Sequence, residues 1–62
     1  MMNQGETIYK DLEGYQYRNL RFNDGTKTLW YEMKKPNERW SGPFHGRLQR
    51  DFDKMERLNA KE

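Results

Sequence analysis

The 62-residue sequence predicts an α+β domain in which a three-stranded antiparallel sheet packs on one C-terminal helix, in the order β-β-β-α. Two observations support this prediction. Residues 15–34 alternate in character around an Asp-Gly dipeptide, which is the strongest short-range signal of a hairpin because glycine readily adopts positive φ. Residues 43–59 carry apolar side chains at spacings of four, four, three and three, the period of one helix face.

The predicted hairpin turns at Asp24 and Gly25, which places Leu20 opposite Leu29 and Phe22 opposite Lys27. Because side chains alternate between the two faces of a strand, one face of the hairpin is apolar and the other is aromatic and basic. The apolar face comprises Leu20, Phe22, Leu29, Tyr31 and Met33. The aromatic-basic face comprises Tyr15, Tyr17, Asn19, Arg21, Thr28, Trp30, Glu32 and Lys34.

The flanking segments complete the predicted fold. Residues 7–12 form a first strand, and whether it pairs inside this sheet stays open. Pro36 ends the hairpin because proline has no N–H to donate, and residues 38–41 are extended, with a short fourth strand as the alternative. The helix begins at Pro43, where a fixed φ suits the first helical position, and it ends near Asn59. Its apolar stripe is Phe44, Leu48, Phe52, Met55 and Leu58.

Composition limits the class of protein. Only 32% of the residues are apolar and 35% are charged, so residues 1–62 form a single small domain with a thin core, and residues 1–5 are expected to be disordered. The predicted core comprises Ile8, Leu12, Leu20, Phe22, Leu29, Met33, Phe44, Leu48, Phe52, Met55 and Leu58. The chain has no cysteine, no apolar run of the roughly 20 residues that span a bilayer, and no signal-peptide pattern at residues 1–6. We expect a cytoplasmic protein without a membrane partner.

Charge is concentrated in the middle of the chain. The net charge is +2, but residues 14–50 sum to +5, whereas residues 1–13 sum to −2 and residues 51–62 to −1. Within the predicted helix, a secondary basic stripe recurs at spacings of three and four, which is either a solvated face or a ridge that faces phosphates. The stripe comprises Arg47, Arg50 and Lys54, continued by Arg57 and Lys61.

Signatures of an enzyme are nearly absent from the sequence. His45 is the only histidine, and no nucleophile motif, metal-ligand spacing or glycine-rich phosphate loop accompanies it. The sequence therefore predicts a non-enzymatic protein with no catalytic residue, metal or cofactor, which acts by recognition.

Three short motifs resemble the AP2-type DNA-binding domain and the related arm-site-binding N-terminal domains of phage-type integrases. Residues 17–21, Tyr-Arg-Asn-Leu-Arg, are similar to the opening Tyr-Arg-Gly-Val-Arg strand of that family. Residues 30–33, Trp-Tyr-Glu-Met, followed by Pro36, are similar to its second strand. Residues 40–44, Trp-Ser-Gly-Pro-Phe, are similar to its Trp-x-Gly-x-Phe transition into the helix.

The resemblance implies that the sheet, and not the helix, enters the major groove of DNA. By position it implicates Arg18, Arg21, Glu32 and Trp40. Simple alternation places Arg18 on the core face and Arg21 outside, whereas the family pattern needs both outside. That arrangement requires a β-bulge between them, for which Asn19 is suited because asparagine tolerates unusual φ.

The function predicted from these features is a DNA-binding module that uses the open sheet face, in a small phage or mobile-element accessory protein. The alternative is a protein-binding adaptor or inhibitor anchored by exposed Trp and Tyr residues, and weak self-association is a third option. The candidate nucleic-acid-binding residues are Tyr17, Arg18, Arg21, Trp30, Glu32, Lys34 and Trp40.

Overall fold

The computed structural model describes residues 7–59, which form a five-stranded antiparallel sheet and one short helix. The predicted disorder of residues 1–5 lies outside the described residues, as does Lys61. The strand order is β4-β3-β2-β1-β5, so the chain leaves one edge of the sheet, passes through the helix and joins the other edge. The elements are β1 Thr7–Lys10, β2 Gln16–Asn23, β3 Thr28–Lys34, β4 Ser41–Arg47, α1 Gln49–Asp53 and β5 Glu56–Asn59.

The predicted β-β-β-α fold is wrong, because the segment predicted as one long helix divides into β4, α1 and β5. Gly42 and Gly46 adopt φ of 127° and 123°, which lie far from the helical region and strongly favour glycine. Gly42 also lies close to β3, since a Cβ there would be 3.2 Å from the carbonyl oxygen of Tyr31. The spacing of apolar residues in this segment matches a helix, but the two glycines belong to a strand.

The first strand pairs inside the sheet, which answers the question left open by the sequence. β1 lies between β2 and β5, with Tyr9 opposite both Tyr17 and Arg57. The turn from β1 to β2 is held by Asp11, whose carboxylate Oδ1 accepts hydrogen bonds from the backbone N–H groups of Glu13 and Tyr15, each at 2.9 Å. This is the turn chemistry for which aspartate is favoured.

The hairpin between β2 and β3 forms with a register other than the predicted one. Phe22 lies opposite Leu29 and Asn23 opposite Thr28, so the loop is residues 24–27. The carbonyl oxygen of Asn23 accepts hydrogen bonds from the N–H groups of Thr26 at 3.2 Å and Lys27 at 2.8 Å. The residue with positive φ is Lys27, at 62°, rather than Gly25. A wider loop thus replaces the two-residue turn that Asp-Gly predicted.

A β-bulge interrupts β2 between Arg18 and Arg21, where the resemblance required one. Arg18 lies opposite Glu32 and Arg21 lies opposite Trp30, so two intervening residues on β2 face one on β3. Asn19 adopts a φ of 61° within the bulge. Because the extra residue reverses the alternation of side chains, both arginines share one face of the sheet, and Tyr17 turns to the other.

The core is built mainly from aromatic rings around Phe52, the buried residue of α1. The ring centroid of Phe52 lies 5.6 Å from Tyr9, 5.5 Å from Tyr17 and 5.6 Å from Tyr31. Such tilted and edge-to-face pairs contribute about 0.5–1.5 kcal/mol each beyond the burial of apolar surface. The helix therefore holds one ring against the inner face of the sheet.

The predicted core is only partly correct. Leu29 and Phe52 are buried as expected, and Leu20, Met33 and Met55 pack against them. Leu12, Phe22 and Phe44 are instead 105%, 62% and 40% exposed. Their places in the core are taken by tyrosines, of which Tyr17 and Tyr31 are buried and Tyr9 and Tyr15 are packed alongside.

The hydroxyl of buried Tyr17 lies between two charged groups. It donates a hydrogen bond to Asp11 Oδ2 at 2.9 Å and accepts one from Arg47 Nη2 at 3.3 Å. The Arg47 guanidinium also lies 4.9 Å from the centroid of the Tyr17 ring. Burial, reinforced by the hydrogen bond to Asp11, raises the pKa of Tyr17 to about 12 from its ordinary 10.0.

This pKa predicts a loss of stability in alkali. Because the folded protein holds the Tyr17 proton more tightly than the unfolded chain does, the stabilisation is complete below about pH 10 and declines as the pH rises towards 12. Urea unfolding of the wild type and of Tyr17→Phe, followed from neutral to alkaline pH, measures it. We expect Tyr17→Phe to be about 1–3 kcal/mol less stable at neutral pH, since Asp11 and Arg47 lose a partner, and to lose less further stability in alkali. Parallel curves for the two proteins would contradict the assignment.

Candidate functional site

The bulge creates a surface that we call the outer face, the side of β2, β3 and β4 turned away from Phe52. Leu29 and Tyr31 point to the core, so Trp30, Glu32 and Lys34 point outward by alternation. Direct cross-strand neighbours share a face, which adds the partners of these residues on the adjacent strands. The outer face comprises Gln16, Arg18, Arg21, Trp30, Glu32, Lys34 and His45.

Arg18 is held in place by two contacts at once. Its Nε donates a hydrogen bond to Glu32 Oε1 at 2.9 Å, and its guanidinium lies 4.1 Å from the centroid of the Trp40 ring. The side chains of Arg18 and Glu32 are each about one-third exposed, at 33% and 31%. A pair this exposed adds little stability, generally about 0–1 kcal/mol, so its main effect is to orient Arg18 and compensate the charge of Glu32.

Trp30 and His45 form an aromatic pair across β3 and β4. The two residues are direct cross-strand neighbours, their ring centroids are 4.6 Å apart and their planes meet at 53°. Trp30 is half-buried, whereas His45 is exposed. Part of the indole therefore remains open to a ligand while its neighbour limits the orientations that the ring adopts.

A recess opens at the bulge, beside Trp30. Its volume is about 350 Å³, which is near the lower end of the roughly 300–1,000 Å³ typical of small-molecule pockets. Trp30 and Pro43 supply apolar surface, and Asn19, Arg21 and Glu32 supply polar groups. The lining residues are Asn19, Arg21, Trp30, Tyr31, Glu32 and Pro43. A recess of this size and composition accommodates one planar ring system with polar edges.

The electrostatic character of the outer face is positive. Glu32 is the one carboxylate among the residues of β2, β3 and β4, and Arg18 already binds it. Arg21 is exposed and Lys34 is half-buried, and both are free of the salt bridges found within residues 7–59. The surface therefore presents two cationic groups, of which Arg21 lies directly opposite the aromatic ring of Trp30.

The structure brings together six of the seven predicted site residues. Arg18, Arg21, Trp30, Glu32 and Lys34 lie on the outer face, and Trp40 joins them through Arg18. Tyr17 does not, because the bulge turns it into the core, where it is fully buried. The prediction that Tyr17 and Tyr15 share a face with Trp30 is wrong for the same reason.

The secondary basic stripe is not a helix face, since its members belong to different elements. Arg47 ends β4 and packs its guanidinium over Tyr17, so it faces the core. Arg50 and Lys54 lie exposed in α1 and at its C-cap, and Arg57 lies in β5. The ridge predicted from their spacing is absent from the described part of the chain because the long helix is absent.

Sequence reasoning missed His45 and Pro43 as members of this surface, having placed both on the predicted helix. The signal for a strand was present in Gly42 and Gly46, which flank these residues on either side. Gly46 lies inside the predicted helix, where glycine is unfavourable by about 1 kcal/mol relative to alanine.

Comparison with protein-family models, with curated proteins and with solved structures finds no match to this chain. The resemblance to AP2-type domains therefore stays a prediction. Its implied three-stranded sheet and C-terminal helix are not the fold found here, and residues 40–44 lead into a strand instead of a helix. No helix within residues 7–59 has both the length and the hydrophobicity to cross a bilayer.

The positive φ of Asn19 in the bulge predicts how substitutions at this residue change the stability of the protein. Asn19→Gly should keep nearly full stability, because glycine adopts a φ of 61° without strain. Asn19→Val should lose about 1–3 kcal/mol, since a β-branched residue is strongly disfavoured at positive φ. Urea unfolding measures both variants, and NMR contacts between Arg21 and Trp30 report whether the register persists. Equal stability of the two variants would show that the backbone here is extended.

Proposed function

We propose that this chain is a non-enzymatic, cytoplasmic DNA-binding module that uses the outer face, as in a small phage or mobile-element accessory protein. The observation that supports it best is the placement of Arg18 and Arg21 beside Trp30 on one face by the bulge. Cationic side chains next to an aromatic ring are the combination with which proteins contact phosphates and bases.

Arg21 and Lys34 are the phosphate-binding groups in this proposal. Arg21 is exposed, and its planar guanidinium matches the geometry of phosphate oxygens. Each phosphate that a cation neutralises releases counterions, so it contributes about −0.7 to −0.9 to the slope of log affinity against log salt concentration. Binding through this face should therefore weaken as the salt concentration rises.

Arg18, Glu32 and Trp40 have a supporting role. The hydrogen bond from Arg18 to Glu32 removes an uncompensated negative charge from the middle of a surface that binds an anion. The contact of the Arg18 guanidinium with the Trp40 ring holds the residue that immediately precedes β4 against the sheet. These are three of the four residues that the AP2 resemblance implicates, and their clustering on one face supports a role for the sheet in binding.

A charge-matched pair of variants tests the proposal. Arg21→Gln with Lys34→Gln removes two cations from the outer face, and Arg50→Gln with Lys54→Gln removes two from around α1, on the opposite side of the sheet. Fluorescence anisotropy with labelled DNA should show weaker binding by the first variant and a salt slope reduced by about 1.4–1.8, because two phosphate contacts are lost. The second variant should bind as the wild type does. Unchanged binding by a folded first variant would refute the proposal.

A second candidate function is protein binding, which one observation favours. Phe22 is 62% exposed and lines an open groove of about 440 Å³ with Leu29 and Leu48, at the end of the sheet where the β2–β3 hairpin meets α1. Exposed aromatic residues are common anchors of protein interfaces.

If the chain binds a protein, a pull-down from cell extract should still recover that partner after nuclease treatment of the extract. Phe22→Ser should lose that partner in a pull-down, because the apolar anchor is removed, whereas Trp30→Ala should retain it. Loss with Trp30→Ala alone would instead place the protein-binding surface on the outer face.

A further inference from the structure

We infer that the outer face binds single-stranded nucleic acid, with one unpaired base seated in the recess at the bulge. This inference rests on the proposed function and specifies its ligand. It follows from the shape and chemistry of the recess together with the positive charge around it.

The recess presents the Trp30 ring for stacking with a nucleobase. A paired base in a duplex does not expose the face that would stack on it. Trp30 and Pro43 line the recess with apolar atoms, and base–aromatic stacking needs access to the π-face of the base. In a duplex, proteins reach only the edges of bases through the grooves, and a paired base must be flipped out before its face is accessible. A single strand presents that face without this penalty.

The polar groups of the recess suit the edge of a base. Glu32 supplies a carboxylate acceptor and Asn19 both a donor and an acceptor, while Arg21 stays available for a phosphate. A carboxylate accepts hydrogen bonds from exocyclic amino groups such as the N4 amino group of cytosine, which thymine lacks. The recess should therefore prefer cytosine over thymine.

Two cationic side chains lie where they can contact the phosphate backbone of the bound nucleic acid. Arg21 lies at the recess itself, and Lys34 lies four residues from Trp30 along β3, on the same face. Since residues in a β-strand rise about 3.3 Å each, Lys34 is roughly 13 Å from Trp30. The backbone on one side of the seated base thus reaches a second cation.

The decisive comparison uses one labelled oligonucleotide, alone and annealed to its complement. Fluorescence anisotropy at fixed salt concentration should show that the wild type binds the single strand roughly ten-fold tighter than the duplex, the size expected from one base stacked on an aromatic ring. Trp30→Leu should lose most of this difference. Arg50→Gln with Lys54→Gln should leave it unchanged.

A second measurement covers the case in which Trp30→Leu fails to fold. The wild type should bind oligo-deoxycytidine about five-fold tighter than oligo-deoxythymidine, and Glu32→Gln should reduce that preference because the charged acceptor is gone. Glutamine keeps the length of the side chain and an oxygen for Arg18.

The outcomes separate the inference from the proposed function. Duplex binding as tight as single-strand binding, weakened by Arg21→Gln with Lys34→Gln, would overturn the inference and leave the proposed function standing. Absence of binding to either form would overturn both. Equal binding of the two homopolymers by the wild type would overturn the assignment of Glu32 to the edge of the base, and single-strand binding that Trp30→Leu leaves unchanged would overturn the assignment of a base to the recess.

Discussion

The arrangement of the outer face depends on one backbone irregularity, the bulge at Asn19. Without the bulge, alternation along β2 would turn Arg18 towards the core and Tyr17 towards the outer face. A guanidinium would then be buried and a phenol exposed. The bulge adds one residue, so that Tyr17 closes the core while Arg18 and Arg21 both reach the outer face. The same residue lines the recess together with Arg21 and Trp30, so the irregularity both places the arginines on one face and forms part of the recess.

The fold compensates for its shortage of aliphatic residues with aromatic rings. A chain of this size buries only about 60% of the surface that its unfolded form exposes. Here Phe52 packs against three tyrosines, one from each of the adjacent strands β1, β2 and β3. Rings supply large contact areas, but a buried hydroxyl needs a partner. Asp11 and Arg47 provide partners for Tyr17, which explains why a charged residue from β4 faces the core.

Local patterns predicted β3 well and β2 only in part. Alternation placed Leu29, Tyr31 and Met33 inward and Trp30, Glu32 and Lys34 outward, and the structure confirms this because β3 is regular at those positions. On β2, the regular alternation of side chains between the two faces does not indicate where a bulge lies. The motif resemblance did indicate one, since its two arginines needed a common face. The hairpin loop was predicted too short, because Asp-Gly favours a tight turn but Asn23 and Lys27 stabilise a wider one.

The long helix was the largest error, and it has a physical explanation. Apolar residues spaced by three and four are compatible with a helix, yet the same spacing arises when a strand, a single helical turn and another strand follow one another. Gly42 and Gly46 distinguish the two cases, because their positive φ values belong to a strand that runs close beside β3. The consequence for function is direct. Pro43 and His45 move from a helix surface to β4, where Pro43 lines the recess and the His45 ring packs against Trp30.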